Sequence, residues 1–429
     1  MLFEALPNHL PVSRIAVPCL GIDGLGHALK VMRLGADLIN CYDLEESYRH
    51  ALTKHLQELG MTHPKLHLGR VAGDLVPASL LSLERPVDFL ISGPPCPPWS
   101  GQGKREGCKD KKARVFMAVV RWIVFFIYSA GLLGCILENV VGLTHQTADG
   151  REATSDKFLR ALRTHCPQFN WSLEVLHLVD YMEPQTRTRV FIRGLNKIIA
   201  SAIPPPLPAF GTRNLREALS PNISHTPRHT LTQCMQTNLA EFEKQAGQAV
   251  AGGKLGIDDV IVCPIDRSHA EEVVYAARWS VNCSPTLTTH NQYLFVLSVR
   301  DIIEQVGDSK REFFRFYTKP ERLQLQGFPP KYALDLPEDK IIFAAGNSYP
   351  VPLMVACLFP MLKALAESEL DLQRRPSAGM ISDTIPACLP MVTRALAAPG
   401  RIVNRQKHMQ AQRRQKAKGK KRALSEDPI

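Results

Sequence analysis

Phe89-Leu-Ile-Ser-Gly-Pro-Pro-Cys-Pro-Pro-Trp-Ser100 is the stretch on which the reading of this chain turns. Residues 87–92 form a short apolar run, the length and composition of a strand buried on both faces. The run breaks at Gly93 into a loop with two prolines on each side of Cys96. Each proline fixes its own φ, so the backbone around the thiol is stiff. Most cysteines in globular proteins are inert core fillers. A core cysteine does not need four flanking prolines, and a strand end is an exposed place for one. A stiff, accessible thiol is what a positioned nucleophile requires, which makes Cys96 a candidate.

Similar runs lie on either side. Residues 14–20 are apolar and lead into Gly21-Ile-Asp-Gly-Leu-Gly26, after which residues 27–34 have helical character. Residues 36–42 form a second run that closes on Asp43-Leu-Glu-Glu46, and residues 135–137 form another. Strands alternating with helices argue for an α/β chain with a mostly parallel, doubly wound sheet. Such sheets bind ligands at the carboxyl ends of their strands, where these Gly-, Pro- and acid-rich loops lie. The apolar stretch 115–137 is long enough to span a membrane. Arg121 interrupts it, and Gly131 and Gly134 break it, so it reads as a buried helix over 113–130, a turn and a core strand.

The chain has 429 residues and a formal net charge of +11. Residues 401–429 carry ten Lys/Arg and two acids, so +8 of that charge lies in the last segment and only +3 in residues 1–400. With 45% hydrophobic residues there is enough apolar side chain for a large core. Eleven cysteines are scattered without a CxxC pair, which points to neither a zinc knuckle nor a redox pair and fits reduced thiols. No metal site and no signal peptide are read. The expected divisions are 1–195, alternating strands and helices; 196–285, an irregular region after the stiff Pro204-Pro-Pro-Leu-Pro208; 286–366, where regularity returns; and 367–429, a basic, disordered tail.

Three further pieces accompany Cys96. Leu137-Glu-Asn-Val140 puts a carboxylate at the end of a core strand. Pro184-Gln-Thr-Arg-Thr-Arg-Val-Phe191 puts Arg187 and Arg189 on one face of a period-two segment. Gly346-Asn-Ser348 reads as a tight turn before a helical stretch over 353–365. Singly, each has a plain structural reading: a helix cap, a solvated face, a turn. A Gly-rich turn after the first strand and an acid after the second can hold a ribose-bearing ligand. The spacing is not the dinucleotide fingerprint, and no P-loop sequence occurs.

Together and in this order, these segments resemble the cytosine-5 methyltransferase family. Gly73-Asp74-Leu75, Ser284-Pro-Thr-Leu-Thr288 and Leu325-Gln-Gly-Phe-Pro329 extend the resemblance, which covers about 14–195 and 278–365. It implies a Rossmann-like, S-adenosylmethionine-dependent methyltransferase fold with a small target-recognition domain inserted late in the chain. It further implies methyl transfer to C5 of a flipped-out cytosine in double-stranded DNA through a covalent adduct at Cys96. Glu138 would hold N3, and Arg187 or Arg189 would bind O2. S-adenosylmethionine would lie against Cys19, Gly21, Gly24, Asp43, Leu44, Asp74, Leu75, Pro94, Asn347 and Ser348. Ser100, Lys104, Arg105 and Gln185 would meet the nucleic acid, with residues 101–107 as a closing loop.

The chain departs from the family pattern in four places. Cys19 stands where an aromatic residue is usual, Asp23 where a glycine is common, Pro97 where a glutamine is frequent, and Tyr349 where a small residue is usual. Two alternatives stay open, a tRNA cytosine-5 methyltransferase and a catalytically silent nucleic-acid-binding homologue. The expected form is a stand-alone monomer with no membrane partner. Lys418-Gly-Lys-Lys-Arg422 would direct it to the nucleus in a eukaryote and otherwise leave it in the cytoplasm.

Overall fold

The structure, a computed structural model, describes residues 14–19, 21–34, 37–43, 48, 52, 66–68, 87–100, 106–129, 131–146, 152–220, 223–265, 279–289, 294–330, 332 and 336–368, with backbone only for 37–43 and 66–68. The expected tail 367–429 lies almost wholly outside these residues.

Seven strands make the larger sheet. They are β1 (Arg14–Pro18), β2 (Asp37–Asp43), β3 (Leu66–Leu68), β4 (Phe89–Ser92), β5 (Gly134–Val140), β6 (Phe169–His177) and β7 (Thr188–Asn196). The order is β3-β2-β1-β4-β5-β7-β6. The first five are parallel, and β7 runs antiparallel to both β5 and β6. The order reverses at β1, which has β2 on one side and β4 on the other, so the ligand crevice of a doubly wound sheet falls at the ends of β1 and β4.

The two faces of the sheet follow from period-two alternation. Ile15, Val17, Phe89, Ile91, Ile136 and Phe191 enter one core, while Ala16, Leu90, Cys135, Leu137, Val190 and Ile192 enter the other. Helix α1 (Gly24–Val31) lies on the first face. Helices α2 (Ala113–Ser129) and α3 (Thr154–His165) cover the second. The stretch 115–137 is thus α2, a turn at Gly131 with φ 63, and β5, as the sequence suggests.

A smaller antiparallel sheet has the order β11-β10-β8-β9, from β8 (Val260–Pro264), β9 (Ser280–Val281), β10 (Leu294–Ser298) and β11 (Phe314–Phe316). Helix α4 (Gln233–Ala251) packs on one face through Leu239, Phe242 and Ala246. The opposite face, through Val260, Val262, Leu294 and Val296, joins the main core. The expected boundary at 285/286 therefore cuts through one sheet, because β10 and β11 pair with β8 and belong to the smaller unit.

The chain returns to the larger sheet through α5 (Glu338–Asn347) and α6 (Val351–Glu367). The apolar span Glu338–Glu367 is long enough to cross a membrane, but 83% of its most apolar window is buried inside the protein. Gly346 and Asn347 lie in the last turn of α5, with Ser348 as its cap, where the sequence suggested a tight turn before a helix.

Candidate active site

The loop after β4 is held on both sides of Cys96. Upstream, Asn139 Nδ2 donates to the Pro94 carbonyl at 3.1 Å, and Ser92 Oγ donates to the Pro18 carbonyl at 2.5 Å. Downstream, the amides of Trp99 and Ser100 both donate to the Cys96 carbonyl, at 2.9 and 3.0 Å. Trp99 is buried, and its Nε1 donates to Thr154 Oγ1 at 3.2 Å, tying the loop to the start of α3. Prolines without N–H groups and these five hydrogen bonds leave the thiol half-buried on a fixed backbone.

Glu138 lies on β5, next to β4, and its side chain is buried. Arg189, opposite Val140 on β7, brings Nε to 2.8 Å from Glu138 Oε1. Burial pushes the Cys96 thiol up from its ordinary value; Arg189 and Arg187 pull it back, and Glu138 pushes it further. Burial likewise raises the Glu138 carboxyl, against the pull of Arg189 and then Arg187. The four groups act on one another's charge, so the structure brings the sequence-chosen quartet together.

The two arginines are not equivalent. Arg187 is 2% exposed and spends its guanidinium on backbone carbonyls. Nη1 donates to Leu287 at 3.0 Å, and Nη2 to Gly346 at 3.0 Å and Ser348 at 2.9 Å. Arg189 makes one such bond, Nη1 to Thr188, beside its ion pair. Arg187 therefore fastens the end of α5 to the site, and Arg189 faces the carboxylate.

Gln185 is a correction. Expected at the nucleic acid, it is fully buried. Its Nε2 donates to the Leu325 carbonyl at 2.6 Å, while its Oε1 accepts from the Leu287 amide at 3.1 Å and from Gln326 Nε2 at 3.2 Å. The backbone beside it pairs with Ser284, through Thr186 N to Ser284 O at 2.9 Å. Segments 184–189, 284–288, 325–326 and 346–348 thus meet around Gln185 and Arg187. Gly346 belongs to this junction by necessity: a Cβ there would lie 2.4 Å from the Thr288 carbonyl carbon.

The turn after β1 has Cys19, Gly21 and Asp23 at φ 63, 63 and 64. Asp23 caps α1 by accepting from the Gly26 amide at 2.9 Å, and burial pushes its carboxyl up to about 7. A Cβ at Gly21 would meet only the Asn347 carbonyl oxygen among the described residues, at an ordinary contact distance of 3.9 Å, so the turn lies beside the end of α5. Ser348 is buried and its hydroxyl donates to the Ala345 carbonyl, inside the helix end. Asp43 is the last residue of β2, at its carboxyl end. Leu44, Asp74, Leu75, Lys104 and Arg105 lie outside the described residues.

A family profile described as C-5 cytosine-specific DNA methylase matches residues 71–361, well over half the chain. The chain belongs to this family. Among curated relatives, the Type II methyltransferase M.NlaX of Neisseria lactamica is 26% identical over 300 residues, 69% of this chain and 82% of that protein. M.HaeII of Haemophilus aegyptius is 25% identical over 65% of this chain and 74% of its own length. The fold is shared with the Entamoeba histolytica methyltransferase EhMeth at 14% identity, TM-score 0.51, covering 82% of this chain and 98% of that one. A DNMT2 mutant of Spodoptera frugiperda matches at 15% identity and TM-score 0.51, covering 82% of this chain and 99% of that one. As a member of the C-5 cytosine-specific DNA methylase family the chain is a DNA cytosine-5 methyltransferase, and the family's reaction depends on S-adenosylmethionine. Asn139, Trp99 and the anchoring role of Gln185 were not found from sequence alone; the only local signal was their place beside Glu138, Cys96 and Arg187.

Proposed function

We propose that this chain methylates C5 of cytosine in duplex DNA through a covalent intermediate at Cys96. The observation that carries this reading is the convergence of Cys96, Glu138 and Arg189 at the ends of β4, β5 and the adjoining β7. C5 of cytosine is a weak nucleophile. Addition of the Cys96 thiolate to C6 moves electron density to C5, and the bond is later broken when the C5 proton is removed and the thiolate leaves. Glu138, with its carboxyl raised by burial, carries the proton that N3 needs as the adduct forms. Arg189 holds O2 and steadies the carboxylate, and Arg187 positions rather than contacts the base. A stacked base cannot reach a half-buried thiol, so the cytosine enters extruded from the helix.

S-adenosylmethionine, when bound, supplies a methyl group on a sulfonium sulfur. The residues present fit it. The Gly21 turn takes the left-handed backbone that a close ligand approach uses, Asp43 ends the neighbouring strand, and Asn347 lies beside the turn. Transfer of labelled methyl groups to duplex DNA and to total tRNA, measured side by side, tests the reading. Label in DNA that depends on Cys96 is expected; label in tRNA alone, or in neither, would overturn it.

A further inference from the structure

Tyr349 stands across the crevice where β1 and β4 part. Its Oη donates to the Cys19 carbonyl at 3.0 Å, at the end of β1. Its ring reaches the end of β4: a Cβ on Gly93 would lie 2.6 Å from Tyr349 Cε1 and, on the other side, 3.2 Å from Glu138 Oε2. Its own backbone oxygen would lie 2.8 Å from a Cβ on Gly24. The side chain is 3% exposed, so the ring fills this space rather than lining it. Cys19 presents its carbonyl from φ 63, a left-handed conformation that is strained for a non-glycine residue and persists where surroundings hold it.

We propose that Tyr349 sets the affinity of this chain for its methyl donor by standing in the donor's crevice, released only when the phenol leaves Cys19. The inference rests on the S-adenosylmethionine reading above. A ligand that binds one of two arrangements has its affinity reduced by the fraction of molecules in the competent one. The bond to Cys19 and the packing on Gly93 both favour the closed arrangement. Removing the hydroxyl alone removes one net hydrogen bond, and removing the ring removes the obstruction.

Titration calorimetry and stopped-flow binding of S-adenosylhomocysteine to the full chain test this, comparing wild type with Tyr349→Phe and Tyr349→Val. Tyr349→Phe keeps the ring volume, so its fold is preserved. It is expected to bind roughly two- to tenfold more tightly, and Tyr349→Val more tightly still, each through faster association with little change in dissociation. Binding by the variants where wild type shows none would support the proposal more strongly. Wild-type binding that both variants match or weaken would overturn it, leaving the tyrosine a wall or packing residue. No binding by any of the three would overturn the donor reading and this proposal with it.

Discussion

The guanidinium of Arg189 lies against the carboxylate of Glu138, Nε to Oε1 at 2.8 Å, with both side chains about nine-tenths buried. Both act on Cys96 with opposite signs. Removing the carboxylate by Glu138→Gln should lower the thiol's apparent pKa, and Arg189→Gln should raise it. Alkylation of Cys96 by iodoacetamide across pH 6–10, followed by mass spectrometry, measures both; shifts in the same direction would contradict the assignment. Either substitution should slow methyl transfer by about 10²-fold or more.

Arg187 should separate from Arg189 in stability. Arg187→Met leaves the carbonyls of Leu287, Gly346 and Ser348 without their donor. The expected loss is about 3–5 kcal/mol in urea unfolding. Arg189→Met should cost less, because the buried Glu138 carboxyl, already raised by burial, can take up a proton when its partner is lost, and it should abolish transfer. Equal losses would mean that the two arginines share one role.

Trp99 holds the Cys96 loop through Thr154. Thr154→Val should cost about 0.5–1.5 kcal/mol and lower kcat, with the KM for S-adenosylmethionine unchanged. A rise in KM with kcat intact would place this contact in donor binding instead.

Asp23 should make stability depend on pH. Its folded-state carboxyl is pushed to about 7 from an ordinary 3.8 by burial. The folded protein therefore binds this proton more tightly, and the stability it confers is present below about pH 4 and lost as pH rises through 7. Asp23→Asn should flatten that fall by about 1–3 kcal/mol when unfolding is compared at pH 5 and pH 8. Glu183, also raised to about 7 by burial, acts in the same direction in both proteins, so the difference between wild type and Asp23→Asn carries the test.

Strands β1, β4 and β5 were legible because they are buried on both faces, whereas β3 and the half-exposed β6 were not read. Residues 87–92 and 135–137 read as short apolar runs, and such runs have few alternatives. The antiparallel direction of β7 was not legible, since alternation is the same in either direction. Helix α4 was missed. Leu239, Phe242 and Ala246 form its narrow buried stripe, and a polar surround such as Gln233, Gln236 and Lys244 hides it. In the site, Cys96 and Glu138 could be chosen from local sequence, because proline stiffness and a carboxylate at a strand end are local properties. The division of labour between Arg187 and Arg189 depends on carbonyls more than a hundred residues away in sequence for two of its three bonds. Gln185 was misjudged for the same reason: a glutamine beside two arginines looks solvent-facing until its distant partners Leu325 and Gln326 are in place.

Covalent trapping tests the central claim most directly. Duplex DNA containing 5-fluorocytosine cannot release fluorine as the C5 proton is released, so an adduct formed at C6 persists. With S-adenosylmethionine present, the full chain should run as a stable protein–DNA conjugate, with the crosslink mapping to Cys96 and absent in Cys96→Ser. No conjugate in any cytosine context, or an undiminished conjugate in Cys96→Ser, would contradict the mechanism.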